Sequence, residues 1–286
     1  MTGRPVRRPG GPGRRTQRIR RRSAGLTRVR AGAILALLLA AGAIYGLAST
    51  SAFAYARLRV EGIAVTTEQE VRSSLDLAGG TNLFTIRTEP LEARLRELPA
   101  VNGAEVSIGL PDTVAVRIDE RRALLVWRSG ERRWLVDGTG FLFTELGEGE
   151  TPPEAIAELP VISDDRAAAR RFEVGSTIDP VDLDAATRLA SLTPADVGSA
   201  AAGLSVGVTD DNGFVLSSVP RSWVAVFGFY GLSLRTTELI PGQVQLLDAL
   251  LTEAGEATVA LVILADDRDG TYIPKASPAA SPSAAP

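Results

Sequence analysis

The sequence predicts an α+β protein in consecutive parts: an N-terminal transmembrane helix, a small domain ordered strand-helix-helix-strand-strand, and a β-rich domain with flanking helices. Three observations lead there. Residues 31–56 carry no charge, residues 57–122 switch between period-two and helical spacing, and residues 123–273 are mostly short apolar runs cut by turn residues. With 286 residues, 45% of them hydrophobic and 23% charged, the chain has the composition of a folding protein rather than a disordered one.

The apolar stretch "AGAILALLLAAGAIYGLASTSAFAYA" would be about 39 Å long as a helix, enough to cross a hydrocarbon core of about 30 Å with some tilt. Before it, residues 1–30 hold eleven arginines and no acid. Just after it come only Arg57 and Arg59. By the positive-inside rule the head is a basic, disordered cytoplasmic segment, and everything from residue 57 lies outside. The arginines have no aromatic residues interleaved, so they read as an orienting segment that touches anionic lipid, not as a nucleic-acid site. A cleaved leader is the alternative, because "AFA" and "AYA" at 52–56 have the small-x-small form of a cleavage site. Against it stand the length of the apolar stretch and of the basic head.

In the first exported domain, Leu58 and Val60 suit a strand ending at Gly62. Thr67 and Glu70 have capping-box spacing, and Val71, Leu75 and Ala78 recur on one helical face. Gly79 and Gly80 are expected to stop that helix, since glycine takes the left-handed conformation at low cost. A second helix opens at Thr88 as cap, with Pro90 in the first turn, Leu91, Leu95 and Leu98 on one face, and Pro99 ending it. "AEVSI", the turn "GLPDT" and "VAVRIDE" then give two strands. In "LAGGTNLFTI", residues 77–86, the glycines lack the Gly-Lys-Ser/Thr or G-x-G-x-x-G continuation of a phosphate loop, so Leu83 and Phe84 are expected to plug the core between the helices. On that reading Phe84→Ala costs roughly 3 to 5 kcal/mol.

The β-rich part begins with "ALLVW" and "RRWLVD" about Ser129-Gly130, then "DGTG" turning into "FLF". Asn212-Gly213 supplies the positive φ angles of a tight hairpin. Helices are expected from Asp179-Pro180, carrying Leu183, Ala186, Leu189 and Ala190, and over about 242–254, carrying Val244, Leu247, Leu250 and Leu251. "EGETPPEAIAELP", 148–160, reads as an exposed loop or short helix. The last strand is placed at 257–265, and residues 274–286 form a Pro, Ala and Ser tail with little to bury.

The chemistry is sparse. No cysteine or histidine occurs, which removes thiolate and imidazole catalysis and the commonest transition-metal ligands. Asp266, Asp267 and Asp269 approach a calcium loop, but the spacing needs an acid or amide at Ala265, so a solvated turn is expected. Asp119 and Glu120 are adjacent on a strand and point to opposite faces. Asp164 and Asp165 read as an exposed polar loop, and Trp127, Trp134 and Trp223 as packing residues. The only lysine, Lys275, falls in the expected tail, which leaves a Ser-Lys nucleophile without support. No enzymatic site, cofactor or metal is expected.

"LRVEG", "GGTNLF", "LRELPAVNGAEV", "LPDTVAVRIDER" and "RRWLVDGTGFLF" follow one another behind a single anchor with a basic head. In that order and spacing the chain resembles the FtsQ/DivIB family of bacterial cell-division proteins. The resemblance implies that residues 57–122 form a POTRA domain, marked by Gly62, Gly80, Leu83, Phe84, Pro99 and Val101, and that 123–273 form the family's β domain. It implies a non-enzymatic bitopic scaffold at the division septum, binding FtsB and FtsL type coiled-coil partners and no nucleic acid or small-molecule substrate. The implied partner edge is the final strand, with Val259, Leu261 and Ile263 on it and Tyr272 close after. An exported binding protein or hydrolase with a cleaved leader stays open beside it. A translocation component would instead show repeated POTRA units or a barrel pattern, and the sequence has one such unit.

Overall fold

The structure, a computed structural model, describes residues 28–48, 50–147, 154–233 and 235–276. Most of the basic head and the tail beyond residue 276 lie outside the described residues. The chain divides into two compact units, one ending at Ala52 and one starting at Phe53.

The first unit's described part is α1 (Arg28–Ala48), exposed from Val29 to Gly46. By length and composition it can cross a membrane, and it is the one such helix among the described residues. It stops short of the expected residue 56. A 3-10 turn, Ser51–Phe53, follows it. Ala54 then bridges to Asn82, and Tyr55 is buried in the next core, so Phe53 to Ala56 find protein partners.

The second unit begins with β1 (Arg57–Glu61), α2 (Glu68–Leu75), α3 (Thr88–Leu95), β2 (Val101–Gly109) and β3 (Thr113–Glu120). Its three strands pair in the order β1-β3-β2, parallel between β1 and β3 and antiparallel between β2 and β3. Val71, Leu75, Leu91 and Leu95 from the helices meet Val101, Val106, Val114, Val116 and Ile118 from the strands. The expected element order is thus present, two helices on one face of a small sheet.

Local details correct the sequence reading. The capping box at Thr67 forms as expected: its hydroxyl accepts the Glu70 amide at 3.2 Å and the Glu70 carboxylate accepts the Thr67 amide at 2.7 Å. The helix then stops at Asp76 (φ 47°), whose amide donates to the Arg72 carbonyl, and not at the glycines. Gly80 (φ 85°) instead turns its amide onto the Tyr55 carbonyl at 3.0 Å. At α3 the cap position is Arg87, without a side-chain bond, and Thr88 is already helical. Gly62 (φ 85°) is irreplaceable for a steric reason: a Cβ there would lie 2.1 Å from the Ile118 carbonyl oxygen.

Phe84 is the clearest correction. Leu83 is 1% exposed and fills the core, but Phe84 is 57% exposed. The two share a 3-10 turn, Leu83–Thr85, in which successive side chains project about 120° apart, so only one can face inward. Phe84 packs edge-on against Phe53, ring centroids 5.2 Å apart.

The chain continues through β4 (Ala123–Ser129), β5 (Arg132–Asp137), β6 (Leu142–Leu146), α4 (Glu154–Ala157), β7 (Val161–Asp164), α5 (Pro180–Ala190), β8 (Gly203–Thr209), β9 (Gly213–Val219), β10 (Val224–Gly228), α6 (Ile240–Ala254), β11 (Val259–Leu264) and β12 (Gly270–Pro274). These strands form a nine-stranded sheet ordered β12-β11-β10-β9-β8-β7-β4-β5-β6. Pairings β4/β7, β7/β8 and β10/β11 are parallel and the rest antiparallel.

One face of this sheet packs under α5 and α6, with Trp127, Trp134, Trp223, Phe214 and Phe227 fully buried. The indole of Trp127 donates to Asp164 at 3.1 Å. Asp164 is itself completely buried and paired with Arg166 at 2.7 Å, against the expectation of an exposed loop. A charge buried there is tolerable because Arg166 neutralises it and two further donors satisfy its oxygens. Ala100, Val126, Leu135, Phe143 and Ile156 form a third core where the two sheets meet. Ile156 gives the short helix α4 its purpose; residues 148–153 lie outside the described residues.

Candidate partner-binding edge

An expected terminal strand at 257–265 turns out to be interior. β11 is hydrogen-bonded on both sides, to β10 and to β12, and β12 forms the edge. The strand escaped the sequence reading because "GTYIP" is short, ends in proline and runs into the Ala/Ser tail.

Both ends of β12 are pinned. At the hairpin, the Asp266 carboxylate accepts the amides of Arg268 at 2.8 Å and Asp269 at 2.7 Å, bonds that hold it below the usual carboxylate range. At the far end the Lys275 amide donates to the Thr258 carbonyl at 2.7 Å, and its ammonium donates to Ser222 Oγ and the Ala257 carbonyl at 2.9 Å. Nearby, burial pushes the Glu256 carboxylate up, yet donors from Ser199, Ala200 and Trp223 and the Lys275 charge hold it below its ordinary range. Arg235 and Gln243 reach the carbonyls of Phe227 and Leu264, tying the ends of β10 and β11 together. Neither residue carried a sequence signal, since both depend on a parallel pairing between distant segments.

The Ala265 amide donates to the Asp269 carbonyl at 2.9 Å, which makes that a hydrogen-bonded pair of the antiparallel ladder. By alternation Thr271 and Ile273 bond inward to β11, and Gly270 and Tyr272 direct their backbone groups away from the sheet. A Cβ on Gly270 would lie 3.0 Å from Leu246 and 3.3 Å from Leu250 of α6, so Gly270 and Tyr272 share the helix-covered face. Thr271 and Ile273 share the other.

The named residues therefore separate. Val259 is fully buried in the core, while Leu261 is half-buried and Ile263 is 38% exposed on the helix-free face. Tyr272 is 40% exposed at the edge itself. Ile273, absent from the sequence reading, is 49% exposed and lies opposite Leu261, extending the apolar row to the rim.

Two of the other edges, β6 and β2, are bonded in part by the chain's own groups. Along β6, the Gly175 amide and the Ser176 carbonyl bond Leu142 at 2.8 and 2.9 Å. On β2 the outward amide of Val106 donates to the Glu92 carboxylate at 3.1 Å. Among the described residues, β12 has no strand beyond it in the sheet. Of the POTRA markers, Pro99 accepts Arg121 Nε at 2.9 Å through its carbonyl and Val101 is 2% exposed. Among the described residues no group of acidic side chains stands close enough to hold a metal ion.

Residues 53–121 match the model of the POTRA domain, FtsQ-type. A membrane-compatible N-terminal helix, this domain and a β-rich region after it define a division-related, POTRA-bearing protein. The chain belongs to the FtsQ family. It is 30% identical over 213 residues to the cell division protein FtsQ of Jannaschia sp. (strain CCS1), covering 68% of this chain and 67% of that one. To the protein of the same name from Streptomyces venezuelae it is 28% identical over 170 residues, 56% of this chain and 62% of the relative. To that of Mycobacteroides abscessus it is 27% identical over 225 residues, 78% and 63%. The matched region spans 62% of the Streptomyces venezuelae relative's length and 54% of that of Streptomyces coelicolor.

Proposed function

We propose that the chain is a non-enzymatic, single-pass scaffold of the division machinery that receives a partner strand on β12. The carrying observation is the pinned apolar rim: β12 is tied at both ends, Tyr272 and Ile273 stand exposed on it, and among the described residues no strand pairs with its outer side, whereas Leu142 of β6 and Val106 of β2 are bonded by the chain's own groups. Strand addition supplies affinity through main-chain bonds and specificity through alternate side chains. Here those neighbours are Tyr272 on one face and Ile273, with Leu261 and Ile263 behind it, on the other. Coiled-coil membrane partners of the FtsB and FtsL kind fit this reading. The eleven arginines of residues 1–30 support a cytoplasmic N-terminus, with the domains after residue 53 outside and gathered at the septum.

The edge is tested with full-length protein and the coiled-coil partners from the same cell. Tyr272→Pro removes an outward amide without removing a bond to β11, and Ile273→Glu charges the rim. Each should weaken partner binding by at least about tenfold, ~1.4 kcal/mol, with little change in melting temperature. Undiminished binding to both folded variants would refute the edge.

A further inference from the structure

Between residues 53 and 121 two large apolar side chains are mostly exposed, Phe84 at 57% and Leu110 at 59%. They are far apart in sequence but both lie in loops bonded to the segment by which the chain enters this domain. The Tyr55 amide donates to the Thr81 carbonyl at 2.7 Å, and Ala54 bridges to Asn82, next to Leu83 and Phe84. The amides of Ala56 and Arg57 both donate to the Asp112 carbonyl, at 2.9 and 3.1 Å, in the turn that displays Leu110. Phe84 rests on Phe53, whose ring is itself only half-buried.

From these positions we propose that Phe84 and Leu110, with Phe53 beneath, form a membrane-facing foot that beds the POTRA domain into the headgroup layer of the bilayer that α1 crosses. The proposal rests on the reading of α1 as an anchor. Chain length selects lipid as the occupant: from Ala48, the last helical residue, to Phe53 the backbone reaches at most about 18 Å, and the 3-10 turn at Ser51–Phe53 shortens that. A headgroup layer is itself about 5 to 8 Å thick. Aromatic and apolar side chains held at such a depth partition into the interface. Charge does not oppose it, because Asp112, the acid in the Leu110 turn, is neutralised by a two-pronged bond from Arg57, Nε and Nη2 at 3.0 and 2.7 Å. Two exposed apolar side chains that packing inside the domain does not require thus acquire a common use.

The absence of cysteine makes the test direct. Single variants Phe84→Cys, Leu110→Cys, Leu37→Cys in α1 and Leu232→Cys, a 90% exposed position beyond β10, are spin-labelled in the full-length protein. After reconstitution in phosphatidylethanolamine and phosphatidylglycerol vesicles, collision rates with oxygen and with a water-soluble nickel chelate are compared. Labels at 37, 84 and 110 should favour oxygen severalfold relative to the label at 232. Aqueous readings at 84 and 110 with a lipid reading at 37 would overturn the foot and leave the anchor standing. An aqueous reading at 37 would remove the anchor and the foot with it. Shielding of 84 and 110 from both reagents would mean a protein occupant and would equally overturn the proposal.

Discussion

Leu83 and Phe84 are adjacent and apolar, and the fold separates them. Leu83→Ala should cost about 2 to 5 kcal/mol, since its side chain leaves a hole in a closed core. Phe84→Ala should change stability by less than about 1 kcal/mol, because an exposed ring loses only an edge contact with Phe53. Urea unfolding of both variants checks the pair. Asp137 gives a pH prediction. Burial pushes its carboxyl up, but bonds from the Thr139 hydroxyl and amide, Arg121 and the Phe141 amide outweigh that and hold it below its ordinary value. A folded pKa below the unfolded one, about 3.9, means its stabilisation is present above that value and lost as pH falls through the folded pKa. The urea midpoint of the native chain should therefore fall between about pH 5 and pH 3, and Asp137→Asn should flatten that fall.

Among the elements, the hairpin between β8 and β9 was legible from Asn212-Gly213, but the expected pair of positive φ angles is not there: only Gly213 has one, because Thr209 pairs with Gly213 and the turn is the three-residue loop 210–212 closed by that glycine. Gly213 has φ 63°, and a Cβ there would fall 2.4 Å from the Gly228 backbone on the neighbouring strand. Gly213→Ala should destabilise by about 2 to 4 kcal/mol, strain and overlap together, read by thermal unfolding. Both long helices of the β-rich region, the order of elements along residues 57–122 and the capping box at Thr67 were also legible, because periodicity and capping are properties of neighbouring residues. β12 was not. A five-residue strand carries too little pattern, and its membership depends on the backbone of β11 being there to pair with. The helix stop moved from Gly79-Gly80 to Asp76 for a similar reason: the Gly80 amide is bonded to the Tyr55 carbonyl, a partner outside its own element.

At the scale of the second unit, three cores lie in series, and the third joins the small sheet to the large one through Ala100, Leu135, Phe143 and Ile156. The ion pair Arg121 to Asp137, 2.7 Å, crosses the same junction, with the Arg121 guanidinium also 4.5 Å above the Phe141 ring. The two sheets should consequently unfold in one calorimetric transition, and Phe143→Ala, which empties the junction, should split it into two. By itself the sequence determined the apolar helix, the charge asymmetry around it, the alternation of strands and helices and the absence of thiol and imidazole chemistry, since each is written in composition or in spacings of a few residues. Only the tertiary structure decided which strand is the rim, why Asp164 can be buried, and that Phe84 faces outward while Leu83 does not. Those outcomes turn on which distant groups reach a residue first, and no local pattern encodes that.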